Sequence, residues 1–149
     1  MNEQQNTIRN RLIGNWELTQ WTRDGAPFKA FGRSPRGHLM YAQGGQMSAL
    51  LLNSDRLPLS HGGDAIPPKQ VLASPRSWLP WLSIYAAHLS YCGRFELSGS
   101  SEVLHHVEAA SVPNWIGGIQ RRQLEFIGDD LILTSSEPRP HQLSWRRIA

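Results

Sequence analysis

The 149-residue chain predicts a mainly β fold, about eight antiparallel strands with one helix inserted near residues 80–91. Two observations carry this expectation. Apolar and polar residues alternate through most of the chain, the period of a half-buried strand. Short turn clusters, such as Gln43-Gly44-Gly45 and Gly128-Asp129-Asp130, sit where hairpin connections belong. The composition agrees: 40% apolar and 18% charged residues describe a globular chain. A single domain of this length hides roughly 68–70% of its unfolded surface.

Residues 1–10 read as a flexible or short helical lead into a single domain covering 1–149. In Asn15 to Thr22, Trp16, Leu18 and Gln20 share one face and Glu17, Thr19 and Trp21 the other. Arg23 to Pro27 is a turn cluster, and Phe31 to Gly37 a second loop. His38 to Ala42 and Gln46 to Leu52 form a hairpin. Asn53 to Ser77, rich in Pro, Ser and Gly, is too long for an ordinary turn and has the length of a functional lid or a disordered segment. In Pro80 to Tyr91, the spacing of Trp81, Ile84, Tyr85, His88 and Leu89 matches an amphipathic helix. Pro80 suits its first turn and Gly93 its end. Strands resume over Arg94 to Ser98, Val103 to Ser111, Ile119 to Ile127, Leu131 to Ser135 and Gln142 to Ile148.

Two short motifs add a resemblance. Gly14-Asn15-Trp16 at the first strand and Trp145-Arg146-Arg147 at the last resemble the closing device of calycin barrels. There the first-strand tryptophan plugs one end of an up-and-down barrel and a last-strand arginine lies over its ring. By side-chain parity, Arg147 rather than Arg146 is the partner of Trp16. An ordered set extends the likeness from about Leu12 to Arg147: Gly37 to Tyr41 with Gly45 to Ala49, Tyr91 to Phe95, His105 to Glu108, Pro113 to Gly117, and Gln120 to Arg122. Together these resemble the bacterial and fungal lipocalin-like domain family. The resemblance implies a closed eight-stranded barrel with a cavity. It also implies a link to natural-product biosynthesis, because some members are encoded among such genes and related barrels include cyclases.

Composition excludes several other classes. The net charge of +3 is modest and the arginines are scattered, so no nucleic-acid stripe forms. With one cysteine, no intrachain disulfide and no cysteine zinc cage are available. Cys92 is read as structural, near the end of the helix. Met1 to Asn6 is polar and lacks a signal-peptide stretch, and no run approaches about 18 apolar residues. A cytoplasmic protein without membrane or nucleic-acid partners is expected; a homodimer stays open.

Strand parity places Leu124 and Phe126 inward, with Arg122 and Gln120 on the same face. In Val103 to Ala109 it turns His105 inward with Val103, Val107 and Ala109, and leaves His106 and Glu108 on the other face. Neighbouring strand residues point oppositely, so His105 and His106 cannot grip one ion, and no metal site is expected. A few polar anchors within apolar walls make a ligand site. His105, Arg122 and Tyr41 are the candidates for polarising a bound carbonyl. Gln120, Trp81, Tyr85, Tyr91, Trp115, Phe126 and Met47 are the candidate ligand contacts, with Trp78, Trp81 and Tyr85 as a lid. An inward Arg122 requires an acidic partner such as Glu96, a group of carbonyls, or an anionic ligand. No nucleophile elbow, phosphate loop or dinucleotide fingerprint occurs, so no cofactor is expected. The leading expectation is a barrel that binds an apolar, polyketide- or terpenoid-like molecule. The alternatives are a cofactor-free cyclase or isomerase, and a scaffold protein with a filled barrel.

Overall fold

A computed structural model describes residues 3–56, 82, 85–135 and 139–148. Helix α1 (Glu3–Leu12) leads into β1 (Gly14–Arg23). There follow the two-residue β2 (Ala26–Pro27), a 3-10 turn at Lys29–Phe31, β3 (Arg36–Tyr41) and β4 (Gln46–Leu52). The second half comprises β5 (His88–Ser98), β6 (Glu102–Ala110), a 3-10 turn at Pro113–Trp115, β7 (Ile119–Ile127), β8 (Asp130–Ser135) and β9 (His141–Arg147). From β3 to β9 every strand pairs antiparallel with its successor, and β1 pairs with both β3 and β9. Apart from β2, eight strands therefore close on themselves, leaving no edge in the barrel wall. Among the described residues no helix is long and apolar enough to cross a membrane.

The inward set is apolar: Trp16, Leu18, Leu39, Met47, Val103, Leu131 and Trp145 are all buried. Alternation builds β3 and β4 cleanly, with every second residue buried. Two bulges break the parity that alternation predicts. In β1, Leu18 pairs with Trp145 but Gln20 with Ser144, so Thr19 is the extra residue. Its hydroxyl donates to the Ser144 carbonyl at 3.0 Å. The slip turns Trp21 inward and Gln20 outward, the reverse of the sequence-based assignment. In β6, Cys92 faces Ala109 while Gly93 faces Val107, leaving Glu108 extra and turning Ala109 out to solvent.

Gly93 belongs to that second bulge rather than to a helix end. A Cβ built on it would lie 1.9 Å from the His106 carbonyl oxygen, so only glycine lets β5 and β6 approach this closely. The expected helix over 80–91 is corrected likewise. Leu82, Tyr85 and Ala86 are helical, but His88 to Tyr91 already pair with Leu52 to Ala49 of β4. The ladder satisfies their backbone groups, and Cys92 is an exposed strand residue. Of the expected loop at 53–77, residues from 57 onward lie outside the described residues, as do Trp78, Pro80 and Trp81.

Helix α1 closes one end. Arg9 donates to the Gln43 carbonyl at 2.8 Å, Arg11 to the Gly128 carbonyl at 2.7 Å, and Gln5 to the Gly99 carbonyl at 3.4 Å. These carbonyls belong to the β3–β4, β7–β8 and β5–β6 turns, so the helix lies across three hairpin tips. Leu12 is fully buried beneath it, and Ile8, four residues earlier on the same face, packs against the core. Gly14, with φ of 142°, allows the abrupt turn from helix into β1. The Trp16 indole N–H donates to the Leu12 carbonyl at 2.9 Å. The Arg147 guanidinium lies over the Trp16 ring at 4.2 Å and donates to the carbonyls of Ile13, at 2.8 Å, and Arg11. A cation over an indole adds about 0.5–2 kcal/mol to the packing of this base.

Candidate functional site

At the opposite end the barrel is hollow. A cavity of about 500 Å³ opens among Trp21, Ala49, Leu51, Leu133, Leu143 and Trp145. That volume falls in the range of roughly 300–1,000 Å³ typical of small-molecule sites. Small and aliphatic side chains of β4, β8 and β9 keep its centre open. At the rim, Trp21 packs on Phe28 (4.9 Å between ring centres) and Phe31 (4.7 Å), and its N–H donates to His141 Nδ1 at 3.0 Å. The Thr19 bulge puts Trp21 there. His141, whose backbone N–H donates to Ser135 Oγ at 2.9 Å, has its pKa lowered by burial and then by Arg23 and Arg122. Arg139 also borders the cavity and pairs with Asp24 at 3.2 Å.

Polar groups reach the wall from Tyr91 of β5 and from Gln120 and Arg122 of β7, and β6 stands behind them. His105 of β6 is fully buried. Its Nε2 lies 2.7 Å from the Tyr41 hydroxyl and its Nδ1 lies 2.9 Å from the Tyr91 hydroxyl. Three strands thus bring one imidazole and two phenols into a single chain of hydrogen bonds. Burial, followed by the charges of Arg122 and His106, pushes the pKa of His105 down to about 3. Burial thus favours the uncharged ring at neutral pH, with both of its nitrogens hydrogen-bonded. Burial raises the pKa of both tyrosines; Arg122 opposes the rise, through its charge at Tyr41 and through charge and a hydrogen bond at Tyr91.

Arg122 lines the cavity beside Gln120, to whose Oε1 it donates at 3.2 Å; it also donates to the Arg121 carbonyl at 2.8 Å. Among the described residues no carboxylate pairs with it. Glu96, offered by the sequence as a partner, lies outside and holds His106 at 3.0 Å, because strand parity sends both outward. Trp145 presents an unmet group to the same wall. Its indole N–H is buried and finds no acceptor among the described residues, at a typical cost of about 1–3 kcal/mol.

The other candidates separate by location. Tyr91 and Trp115 line the cavity and meet edge to face at 5.7 Å. Tyr41 supports the wall from behind and packs on Phe95 at 4.8 Å. Met47 does not border the cavity; it is buried in the core opposite Tyr41. Phe126 belongs to the closed base, 6.3 Å from Trp16 and beneath Arg11. Tyr85 is exposed and borders a groove on the outer side with Ser48, Ser90 and Cys92. Trp81 lies outside the described residues. No group of three His, Cys, Asp or Glu side chains suited to a metal occurs among the described residues. Trp21, His141 and Trp145 also border the cavity, beyond the ligand contacts that the sequence offers. The bulge conceals the first, while the inward parity of Trp145 is a signal present in the sequence.

A closed antiparallel barrel, plugged at one end by a tryptophan under an arginine and hollow at the other, defines a calycin-type protein. The chain matches the lipocalin-like domain family over residues 13–148 and belongs to it. It is 33% identical over 75 residues to the 4'-hydroxy-3'-methoxypropiophenone carrier protein of Aspergillus oryzae, an alignment covering 41% of this chain and 68% of that one. Among solved structures it is similar to a lipocalin-like protein from Bacteroides uniformis (17% identity, 93% of this chain and 99% of that one, TM-score 0.47). It is also similar to the wild-type fluorescent protein UnaG (14% identity, 93% and 98%, TM-score 0.41).

Proposed function

We propose that this barrel binds and carries a small apolar molecule of aromatic dimensions, of the polyketide or terpenoid kind. The observation that carries the reading is the cavity of about 500 Å³, walled by hydrocarbon on one side and by Tyr91, Gln120 and Arg122 on the other. The Aspergillus relative supports a natural-product cargo, since its name makes it the carrier of a small aromatic ketone. The state of His105 favours carriage over ring closure. With both ring nitrogens already hydrogen-bonded and a pKa of about 3, it is poorly suited to moving a proton at neutral pH.

Titration with the fluorescent apolar probe N-phenyl-1-naphthylamine tests the reading. One saturable site is expected, and it should disappear in Ala49→Trp, which fills the cavity from β4. Absence of saturable binding, or equal binding by the folded Ala49→Trp variant, contradicts it.

A further inference from the structure

The relay has a direction that the hydrogen-bond partners determine. The Tyr41 hydroxyl is buried, and among the described residues its only partner is His105 Nε2. An uncharged imidazole carries one proton. Were that proton on Nε2, the ring would donate to Tyr41, and the Tyr41 proton would be left beside Phe95 with no acceptor. Stranding a buried donor is the costlier arrangement. Tyr41 therefore donates to Nε2, the ring proton sits on Nδ1, and Nδ1–H donates to the Tyr91 oxygen. The proton of Tyr91 is then left without an acceptor from the relay, on a residue that lines the cavity.

Two independent observations point the same way. The Trp145 indole N–H lacks an acceptor among the described residues, and Arg122 pairs with no carboxylate among them. The one buried side-chain polar atom without a partner among the described residues is thus a donor, in the same wall as Arg122. Two guanidinium nitrogens of Arg122 are already donating to Gln120 and to the Arg121 carbonyl, and the same guanidinium hydrogen-bonds the Tyr91 oxygen. That leaves its charge to polarise a nearby oxygen rather than a free fork to clasp a carboxylate.

We propose that Tyr91, with Arg122 beside it, is the oxygen-recognition element of the cavity, donating its O–H to the carbonyl oxygen of an aromatic or conjugated ketone. Tyr41 and His105 are positioning residues that orient this donor. The inference rests on the cavity being a binding site and assigns the functional group that the site selects.

Two measurements test it. Long-range ¹H–¹⁵N NMR of the free protein reports the His105 tautomer: a proton on Nδ1 is expected, and a proton on Nε2 overturns the relay. Affinities are then compared for 2-acetonaphthone and 2-isopropenylnaphthalene, which has the same shape with methylene in place of oxygen. The wild type should prefer the ketone by about tenfold, equivalent to about 1.4 kcal/mol. Tyr91→Phe should abolish that preference and leave the hydrocarbon's affinity unchanged. Equal affinities in the wild type, or a preference that survives Tyr91→Phe, overturn the oxygen site while the cavity reading stands. Failure of both probes to bind overturns the cavity reading itself. If Tyr91→Phe does not fold, the tautomer and the wild-type preference decide.

Discussion

At the base of the barrel, Trp16 gives its indole N–H to Leu12, and Arg147 covers the ring while donating to two backbone carbonyls. At the cavity wall, Trp145 holds an indole N–H for which the described residues offer no acceptor, and Arg122 meets no carboxylate among them. Two buried indoles on the same closed sheet thus differ, the N–H of Trp16 satisfied by the chain and that of Trp145 not, while both arginines donate to oxygens of the chain. The difference comes from α1, which brings apolar bulk and backbone carbonyls to the base. At the base the chain satisfies the buried indole and the barrel is sealed; at the other end an unmatched indole N–H stands beside a cavity.

The largest expected effect concerns the relay. His105 has a pKa of about 3 when folded against a usual 6.5. Between those values the unfolded chain takes a proton that the fold refuses, so stability is full above about 6.5 and falls as pH drops toward 3. The full window corresponds to a loss of up to about 4–5 kcal/mol. Urea unfolding from pH 7 to 4 should show this decline, and it should become shallower in His105→Gln, leaving the part contributed by His141, whose pKa the fold also lowers.

Next, Trp16→Ala should destabilise the protein by about 3–5 kcal/mol, because it opens a void in a packed base. Trp21→Ala at the rim should cost less by at least about 1 kcal/mol, because the space it leaves joins an existing opening. Equal losses by denaturant midpoint would break the contrast between the two ends. Arg147→Ala should cost about 1–2 kcal/mol through its ring contact and carbonyl bonds. Arg122→Ala should change stability by less than about 1 kcal/mol while weakening ketone binding. The smallest effect is Trp145→Phe. Removing the unmatched N–H offsets the lost ring area, so calorimetry should find stability within about 1 kcal/mol of the wild type.

Much of the barrel was legible because alternation is a local signal: the bounds of β4 and β7 follow directly from it. Arg147 was matched to Trp16 from parity and a recognised motif. The bulges at Thr19 and Glu108 were not legible, since an extra residue is defined only against the partner strand. That hid Trp21 and wrongly turned Ala109 inward. His88 and Leu89 fit a helical period and a strand period equally well, and pairing with β4 decided between them. The polar α1 carries little apolar signal, and its role depends on carbonyls of three distant turns. Parity turned His105 inward, but its two phenol partners stand on β3 and β5, and no local pattern in the chain names them.

The most direct test follows two indole N–H resonances while N-phenyl-1-naphthylamine is titrated to saturation. The account predicts that the Trp145 signal shifts progressively with occupancy while that of Trp16 stays fixed. A Trp145 signal unchanged at saturation, or a Trp16 signal that moves as far, would contradict a barrel sealed at its helix-covered base and open to a ligand at the other end.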